Sequence, residues 1–496
     1  EASRSSLTSR RQADDDVNGC SSKRMRKESN DHLENVPEFR ISSELLSLDF
    51  IEKCSKSWNG KQATCPSENV TFYNDPFQLC KIHNFLQNPE FINNIVEEMA
   101  AMEWTRKQMD LYEFYQCTDL SNITTPFLKN FYRTLKEDVM PLISKISGIE
   151  FTHLSASCSM YDCGDYLLVH DDLLTDRQVA FVFYVSPWED ARKWTSEMGG
   201  CLEVFKSDEN ELPIFPVINK IAPENNQFIF FKVGKKSFHQ VGEVTSYDFP
   251  RLTINGWFHS SKNKDIELSS KKLYETHIHK EPQSPSKKLD EFINNNYLKR
   301  KTKLSVRNYF EQTSEMRLDL FLKSEILSSL VESLKAEDLK WIRKGPANVQ
   351  NYLSLSLESV NETIADIISL LSSNRMFEYL TEITQLDLLS CYLEIQKWNQ
   401  GCYTVLGDKC QYAENSLDIT LYLTACDNVG VVSYLCPDPE DEEREESDED
   451  LDDPILLTVT PKANTLNMAY VLAGTAKFTK YVFKRTVLPP DESVYL

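Results

Sequence analysis

The pattern of apolar and polar residues along the chain predicts where folded bodies begin and end. Residues 1–37 are polar and charged, and a segment with so little apolar content is predicted to be disordered. Apolar residues with helical spacing follow over 89–99 and again over 125–143. From about 151 to 258 the pattern changes to short runs of branched and aromatic residues, typical of β-strands. The sequence therefore predicts a mainly β body with flanking helices over 38–262.

A polar connection and a second body follow the first. Residues 263–305 are rich in Lys, Ser and Asn, which predicts a linker. The segment 306–496 repeats features of the first body, for example Trp-Ile-Arg-Lys at 341–344 against Trp-Thr-Arg-Lys at 104–107. The second body is therefore predicted to be a duplicate of the first. An acidic run over 437–454 is predicted to be a disordered loop between its strands.

The strongest chemical signal is a histidine–x–aspartate pair, His170 and Asp172, at the end of an apolar run. Residues i and i+2 of a strand point to one face, so both side chains can bind one ion. His239 follows later and supplies a third ligand. Two histidines and one carboxylate form the facial triad of non-haem Fe(II) oxygenases, which leaves positions open for a co-substrate and O₂. Arg251 can then bind a carboxylate of that co-substrate through its planar guanidinium.

Other polar residues near these motifs are expected to play no ligand role. Asp171 lies between two ligands and should point to the opposite face of the strand. His259 is flanked by aromatic residues and is expected to be a core residue, with support of the metal ligands as the alternative. His277 and His279 share a strand face, but they lie in the polar linker without a third ligand.

With these motifs the chain resembles the 2-oxoglutarate- and Fe(II)-dependent oxygenases of the prolyl hydroxylase type, and among them the two-domain ribosomal prolyl 3-hydroxylases. The resemblance is carried by residues 161–172, 181–184 and 251–259, and it extends from about Asp49 to the end. It implies two double-stranded β-helix domains, which are jelly-roll-like, the second degenerate. It also implies that Fe(II) is bound by His170, Asp172 and His239, and 2-oxoglutarate by Arg251 with the hydroxyls of Tyr161 and Tyr184.

The resemblance further implies a dioxygenase that uses Fe(II), 2-oxoglutarate and O₂, with ascorbate as reductant. Its target would be C3 of a proline in a small-subunit ribosomal protein, with an effect on translation accuracy and termination. The residues alone do not distinguish C3 from C4. Two alternatives stay open: an oxygenase that acts on another protein residue, and a non-enzymatic scaffold in translation or RNA–protein complexes. A nucleic-acid demethylase is disfavoured because Trp257 stands where those enzymes have a second arginine.

The second body is not expected to bind iron. No histidine follows His279, and a lysine in place of a carboxylate would repel a cation. We expect 306–496 to pack against the catalytic domain and to help recruit a basic protein substrate. The repeat places Gly407, Lys409 and Thr479 where the first body has His170, Asp172 and His239.

Net charge and cysteine content indicate the cellular compartment and the type of binding partner. A net charge of −22 argues against direct nucleic-acid binding and suits a basic partner such as a ribosomal protein. Thirteen cysteines without a Cys-x-x-Cys motif favour reduced thiols, and no apolar run approaches the length of a membrane span. The basic cluster 23–27 is interpreted either as a nuclear-import signal or as a solvated stretch. We expect a monomer in the cytoplasm and nucleus.

Overall fold

The structure is a computed structural model, and it does not cover every predicted segment. The tail over 1–37, the basic cluster 23–27, the acidic loop over 437–454, and His277, Gly407 and Lys409 lie outside the described residues. No helix in the described parts is long and apolar enough to cross a membrane. The described residues are 39–60, 67–174, 176–186, 193–261, 279–284, 287–358, 360–406, 412, 414–436, 455–488 and 493–496.

The first body consists of strands that pair antiparallel throughout, together with helices that precede most of them in the chain. The helices are α1 (Leu48–Trp58), α2 (Phe91–Ala101), α3 (Pro126–Thr134) and α4 (Met140–Ser147). The strands are β1 (Val70–Tyr73), β2 (Leu79–Ile82), β3 (Thr105–Gln108), β4 (Tyr112–Gln116), β5 (His153–Tyr161), β6 (Tyr166–His170), β7 (Arg177–Tyr184), β8 (Leu202–Ser207), β9 (Pro213–Ile221), β10 (Gln227–Lys232), β11 (His239–Val241) and β12 (Arg251–His259).

The twelve strands form one sheet that curls into two facing layers. Their order is β1-β2-β10-β7-β12-β5-β4-β6-β11-β8-β9, with β3 paired to β4. Residues alternate between the two faces of β7: Phe181 and Phe183 pack against the helices, whereas Ala180 and Tyr184 pack against β8 residues such as Val204. One layer therefore carries the helices on its outer face, and its inner face closes on β6, β11 and β8.

The start of α3 differs from the sequence-based picture. Thr125 lies at the cap position before Pro126, a residue type that commonly caps helices, but its side chain makes no capping hydrogen bond. The carboxylate of Glu98, from α2, accepts hydrogen bonds from the backbone N–H groups of Phe127 and Leu128 at 2.9 and 2.8 Å instead. A negative charge there also complements the helix dipole. The cap comes from another helix, which local sequence does not indicate.

The second body repeats the arrangement with a smaller and more broken sheet. Its strands form sheets of three (β13-β21-β18) and of eight (β20-β19-β22-β17-β15-β16-β23, with β14 on β15). The helices are α5 (Leu289–Phe292), α6 (Asn295–Leu298), α7 (Arg300–Thr313), α8 (Ser324–Leu334), α9 (Glu362–Leu371) and α10 (Asn374–Thr384). The strands are β13 (Glu315–Asp319), β14 (Trp341–Lys344), β15 (Gln350–Leu355), β16 (Gln396–Trp398), β17 (Tyr403–Thr404), β18 (Ser416–Tyr422), β19 (Val432–Leu435), β20 (Ile455–Val459), β21 (Thr465–Val471), β22 (Ala476–Thr479) and β23 (Val494–Tyr495).

Strand pairing in the second body matches that in the first. Strand β21 pairs with β13 and β18, as β10 pairs with β2 and β7, and β22 pairs with β17 and β19, as β11 pairs with β6 and β8. The buried Asn226 accepts a hydrogen bond from Leu86 N at 2.7 Å, and Asn464 accepts one from Leu322 N at 2.8 Å. The predicted fold class, two double-stranded β-helix domains of which the second is degenerate, is confirmed.

The predicted linker over 263–305 was too long. Helices α5 and α6 and the start of α7 lie inside this range. Phe292 and Ile293 are buried in the core of the second body, together with Leu322. Two apolar residues among Lys, Ser and Asn are too few to show helical periodicity, so the sequence did not predict these helices. Burial of the pair attaches the helices to the second body.

The register of β22 corrects one position of the predicted repeat. Thr404 pairs with Thr479, and the pairing of β17 to β15 makes Thr404 the equivalent of Leu167. Leu167 pairs with Val241 in the first body. Thr479 is therefore the equivalent of Val241, and the position of the third predicted metal ligand falls on Lys477, two residues earlier than predicted.

The positive charge of Lys477 is balanced by a carboxylate inside the second body. Its Nζ lies 2.6 Å from the Asp418 carboxylate, which also accepts hydrogen bonds from Tyr412 and Tyr434 at 2.6 and 2.7 Å. Burial raises the pKa of Asp418, but Lys477 and the tyrosine hydroxyls outweigh it and hold this pKa below its usual value. A lysine paired with a carboxylate thus stands in the second body at the position that His239 has in the first.

Asp418→Asn should destabilise the folded chain by about 3 kcal/mol, because it leaves Lys477 largely buried without its counter-ion. Since the pKa of Asp418 is lower in the folded state, its contribution is complete above the unfolded-state pKa and is lost as pH falls through the folded-state pKa. Denaturant unfolding at neutral and acidic pH measures both effects. Glu52→Gln, at an exposed ion pair with Lys56, is the control and should change stability by less than about 0.5 kcal/mol. The prediction would be wrong if Asp418→Asn lost no more unfolding free energy than Glu52→Gln.

The two bodies are joined on the outer side of β6. Tyr166 packs on Tyr481 with ring centroids 4.3 Å apart, and Tyr403 belongs to the same buried cluster. The buried carboxylate of Glu243 accepts hydrogen bonds from the Tyr481 hydroxyl at 3.1 Å and from Lys484 N at 2.6 Å. The second body therefore covers the strand that ends at His170.

Candidate metal centre

Three predicted ligands meet between the two layers of the first body. His170, the last residue of β6, lies directly opposite His239, the first residue of β11. Their Nε2 atoms are 3.4 Å from Oδ1 and Oδ2 of Asp172, respectively, and the ligand atoms of all three residues lie within 4.8 Å of one another. A metal ion bound by these two imidazole nitrogens and this carboxylate would be covered on one side only. Its other side would be open for further ligands.

Asp172 reaches this position by a different backbone path from the one predicted. The strand ends at His170, and Asp172 has φ 61°, in the left-handed region that non-glycine residues seldom adopt. Aspartate tolerates this conformation better than most residues. The simple alternation of a strand therefore does not place the carboxylate; a turn directly after the strand does, and such strain is common at functional sites.

Both histidines are held in the tautomer that a metal ligand needs. His170 Nδ1 lies 2.8 Å from the carbonyl oxygen of Leu168, and His239 Nδ1 lies 2.7 Å from that of Ser237. A carbonyl oxygen can only accept, so Nδ1 carries a proton in both rings, and Nε2 is the nitrogen left to bind a metal. This backbone support fixes the ring orientation, as is usual around bound metals.

The electrostatics favour the ligand form at His239 and Asp172. At His170, burial lowers the pKa of the ring, but the adjacent Asp172 outweighs burial and raises this pKa above its usual value. Burial, together with the neighbouring His170, lowers the pKa of His239 to about 4, so its ring is neutral. Burial raises the pKa of Asp172, but the two histidines outweigh it and hold this pKa below its usual value. A neutral imidazole and an ionised carboxylate are the forms that bind divalent metal ions.

Arg251 is a buried cation that faces two tyrosine rings. It is 2% exposed and begins β12 directly opposite Tyr161. Its guanidinium carbon lies 4.9 Å from the ring centroid of Tyr161 and 5.1 Å from that of Tyr184. Nη2 lies 3.4 Å from the Tyr184 hydroxyl, and Nε has no hydrogen-bond partner among the described residues. A buried guanidinium with unused donors is suited to bind a carboxylate, and that is what 2-oxoglutarate offers.

Two further side chains complete the surroundings of the ligands, and sequence reasoning did not identify them. Phe231 places its ring edge against His239, with centroids 4.7 Å apart. Arg177 lies over the Trp257 ring at 3.6 Å, and its Nη1 is 3.9 Å from Asp172 Oδ1. Strand pairing brings these residues to the site, and no local motif marks them.

Three other residues considered in the sequence, Asp171, His279 and His259, lie outside the group of predicted iron ligands. Asp171 is not part of the ligand group, and its carboxylate accepts a hydrogen bond from Leu173 N in a turn. His279 belongs to neither group of potential metal ligands in the described parts. His259 is buried, as expected, but it is not a plain core residue: it stacks on His153 and lies beside Asp176.

Two family models match the chain. The model described as the 2OG-Fe(II) oxygenase superfamily matches residues 156–259, which include every predicted site residue. The model described as the C-terminal domain of oxoglutarate and iron-dependent oxygenase degradation matches residues 284–493. The donor set of His170, Asp172 and His239 and the buried Arg251 fit Fe(II) and 2-oxoglutarate, the two groups that this superfamily uses.

Whole-length relatives agree with both matches. Prolyl 3-hydroxylase sudestada1 of Drosophila melanogaster is 45% identical over 455 residues, which span 87% of this chain and 85% of the relative. Prolyl 3-hydroxylase OGFOD1 of Mus musculus is 27% identical over 85% of this chain and 87% of the relative. Prolyl 3,4-dihydroxylase OGFOD1 of Ostreococcus tauri is 25% identical over 76% and 86%. The chain therefore belongs to the two-domain prolyl 3-hydroxylase family of 2-oxoglutarate- and Fe(II)-dependent oxygenases.

Proposed function

We propose that the chain hydroxylates C3 of a prolyl residue in a small-subunit ribosomal protein, with Fe(II), 2-oxoglutarate and O₂, and thereby affects translation accuracy and termination. The observation that carries the catalytic part is the intact ligand group His170, Asp172 and His239 beside the buried Arg251. The position on the proline is taken from the names of the relatives, since both the 3-hydroxylases and the 3,4-dihydroxylase act at C3.

The residues of the chain divide the work of this reaction. When bound, Fe(II) and 2-oxoglutarate supply the oxidising chemistry that inserts oxygen into an unactivated C–H bond. The iron would be bound on one side by His170, Asp172 and His239, which leaves its other side to the co-substrate and O₂. Arg251 holds the distal carboxylate, and the Tyr184 hydroxyl, which lies 3.4 Å from Nη2, helps to orient it. Tyr161 would help from the other ring that the guanidinium contacts.

The buried environment protects the reacting groups from water. His239 and Arg251 are at most 5% exposed, and Tyr184 is fully buried. Exclusion of water strengthens the interaction between the guanidinium and a carboxylate, and it limits side reactions of a strong oxidant. This enclosure favours an enzyme over a scaffold that has lost its chemistry.

The choice of substrate and surroundings rests on charge and family. The net charge of −22 suits a basic partner such as a ribosomal protein, and it disfavours direct nucleic-acid binding. We propose a monomer that works in the cytoplasm and nucleus, with ascorbate as a reductant that keeps iron in the Fe(II) state. The second body would help to recruit the folded substrate, because it lies beside the strand that carries His170.

The proposal predicts that the purified chain, supplied with Fe(II), 2-oxoglutarate and ascorbate, adds one oxygen atom to a proline of a small-subunit ribosomal protein. Peptide mass spectrometry locates the oxygen, and the fragment pattern with a synthetic standard separates C3 from C4. Asp172→Asn is the matched inactive control. Oxygen on a residue other than proline would support the alternative oxygenase, whereas co-substrate consumption no greater than in the control would support the scaffold.

A further inference from the structure

A second group of potential metal ligands lies apart from the predicted iron site. His153, Asp176 and His259 offer ligand atoms within 4.8 Å of one another, and this is the other such group in the described parts of the chain. His259 Nδ1 lies 3.0 Å from Asp176 Oδ2, and His153 Nε2 lies 3.9 Å from the same oxygen. The relatives' names and the family models assign no role to these residues.

Strand geometry brings this group together at the far end of the main layer. His153 begins β5, His259 ends β12, and the two residues pair directly across the strands. Asp176 immediately precedes β7, which pairs with β12 at the same end. Arg251 and His259 are eight residues apart on one strand, so about 26 Å separates them along β12. The group therefore lies at the opposite end of β12 from Arg251.

Hydroxyl groups support both rings from behind. Thr152 Oγ1 lies 3.0 Å from His153 Nδ1, and Ser155 Oγ lies 2.8 Å from His259 Nε2. These contacts turn His153 Nε2 and His259 Nδ1 toward Asp176. At the buried His259, a hydrogen bond on the non-ligating nitrogen is the usual support of a metal-binding histidine, because it fixes the tautomer and the ring orientation.

His259 Nδ1 is poorly satisfied by the protein alone. It lies close to Asp176, but it makes no well-directed hydrogen bond in the described part of the chain, although His259 is 7% exposed. Burial lowers the pKa of His259 and outweighs the opposing effect of Asp176, so the neutral ring is favoured. A neutral, buried ring nitrogen beside a carboxylate is a good ligand for a divalent transition metal.

We propose that His153, Asp176 and His259 bind a divalent transition ion of the Zn²⁺ type, separately from the predicted iron site. Two imidazoles, one carboxylate and a water complete the tetrahedral set that Zn²⁺ prefers. The rings of His153 and His259 stack at 8°, so they cannot both point a lone pair at one ion as they stand. Binding therefore turns the His153 ring and releases its contact with Thr152, which its 59% exposed side chain allows. The buried His259 ring stays in place on Ser155.

Such an ion would tie three strand ends together close to the catalytic ligands. Asp176 adjoins Arg177, whose guanidinium lies over Trp257 and 3.9 Å from Asp172. Bound Zn²⁺ would fix the position of Asp176 relative to β5 and β12. The ion would thus cross-link the ends of β5, β7 and β12, and it would take no part in the chemistry at the triad.

A zinc titration of the full chain tests the site. After chelator treatment, the protein is titrated with Zn²⁺ against a competing indicator dye, and wild type is compared with His153→Gln. The variant should bind one equivalent fewer, while the thirteen cysteines contribute equally to both proteins. The zinc-free thermal midpoint should not change, because His153 is exposed. Equal zinc stoichiometry in the two proteins would overturn the proposal.

Two further variants separate this site from the triad and from a loss of folding. Ser155→Ala keeps all three ligands, and it should weaken the same equivalent by about 10- to 100-fold through loss of the hydroxyl on His259 Nε2. Asp172→Asn damages the triad, and it should leave intact the equivalent that His153→Gln removes. If Ser155→Ala binds like wild type, or if Asp172→Asn removes that equivalent, the ion does not lie at His153, Asp176 and His259.

Discussion

Asp172→Ala should abolish hydroxylation and co-substrate turnover, with a loss of at least about a thousand-fold. The carboxylate is the single anionic member of the ligand group, and it faces both histidine Nε2 atoms at 3.4 Å. Without it, two neutral imidazoles remain, which bind Fe(II) weakly and without the charge that neutralises the ion. Iron content after gel filtration and 2-oxoglutarate consumption measure the two consequences.

Asp172→Asn and Asp171→Asn make this result interpretable. Asparagine also tolerates the left-handed conformation at position 172, so the first variant removes the charge and leaves the backbone undisturbed. Asp171 is the neighbouring carboxylate and lies outside the ligand group, so its variant should keep iron and activity. Substantial activity in Asp172→Asn would contradict the assignment of this carboxylate to the metal.

Arg251→Ala should raise the 2-oxoglutarate concentration needed for half-maximal rate by about 30- to 1000-fold, equivalent to about 2–4 kcal/mol of lost binding. The guanidinium is buried with unused donors, so a bound carboxylate would gain charge-assisted hydrogen bonds in a dry pocket. Arg251→Lys keeps the charge and loses the planar fork, so it should recover only part of the affinity. Initial rates over a range of 2-oxoglutarate concentrations separate KM from kcat.

Arg317→Ala is the control for this series, because Arg317 is a half-exposed arginine of the second body paired with Asp319. It should leave the dependence on 2-oxoglutarate unchanged. Iron binding by Arg251→Ala should also be retained, since His170, Asp172 and His239 remain. If the co-substrate dependence of Arg251→Ala equals that of wild type, the carboxylate is bound by a different group.

The sequence pattern predicted a mainly β body, and the resemblance to the oxygenases implied the double-stranded β-helix and the candidate site residues. The period-two pattern of β7 and β10 and the order of His170, Asp172, His239 and Arg251 are local or semi-local signals. The structure brings these four residues to the inner surface of one curled sheet, beside Tyr161 and Tyr184.

What the sequence did not indicate depends on contacts between distant strands. His153 and Asp176 meet His259 only because β5, β12 and β7 end together, and a 106-residue separation of His153 and His259 leaves no pattern. The two-residue error at Thr479 has the same origin, because register is set by pairing with β17 and β19. The cap of α3 by Glu98 is likewise a contact between two helices.

The contact of Tyr166 with Tyr481 bears on the stability of the first body without the second. The second copy has a lysine where a metal ligand would be, yet its rings and its hydrogen bonds to Glu243 form the outer wall of the strand that ends at His170. The second body therefore supports the strand that ends at His170 although it lacks the metal ligands. A gene fragment that ended near residue 262 would expose buried aromatic surface and an unpaired carboxylate to water. The first body alone is therefore expected to be less stable and less soluble than the full chain.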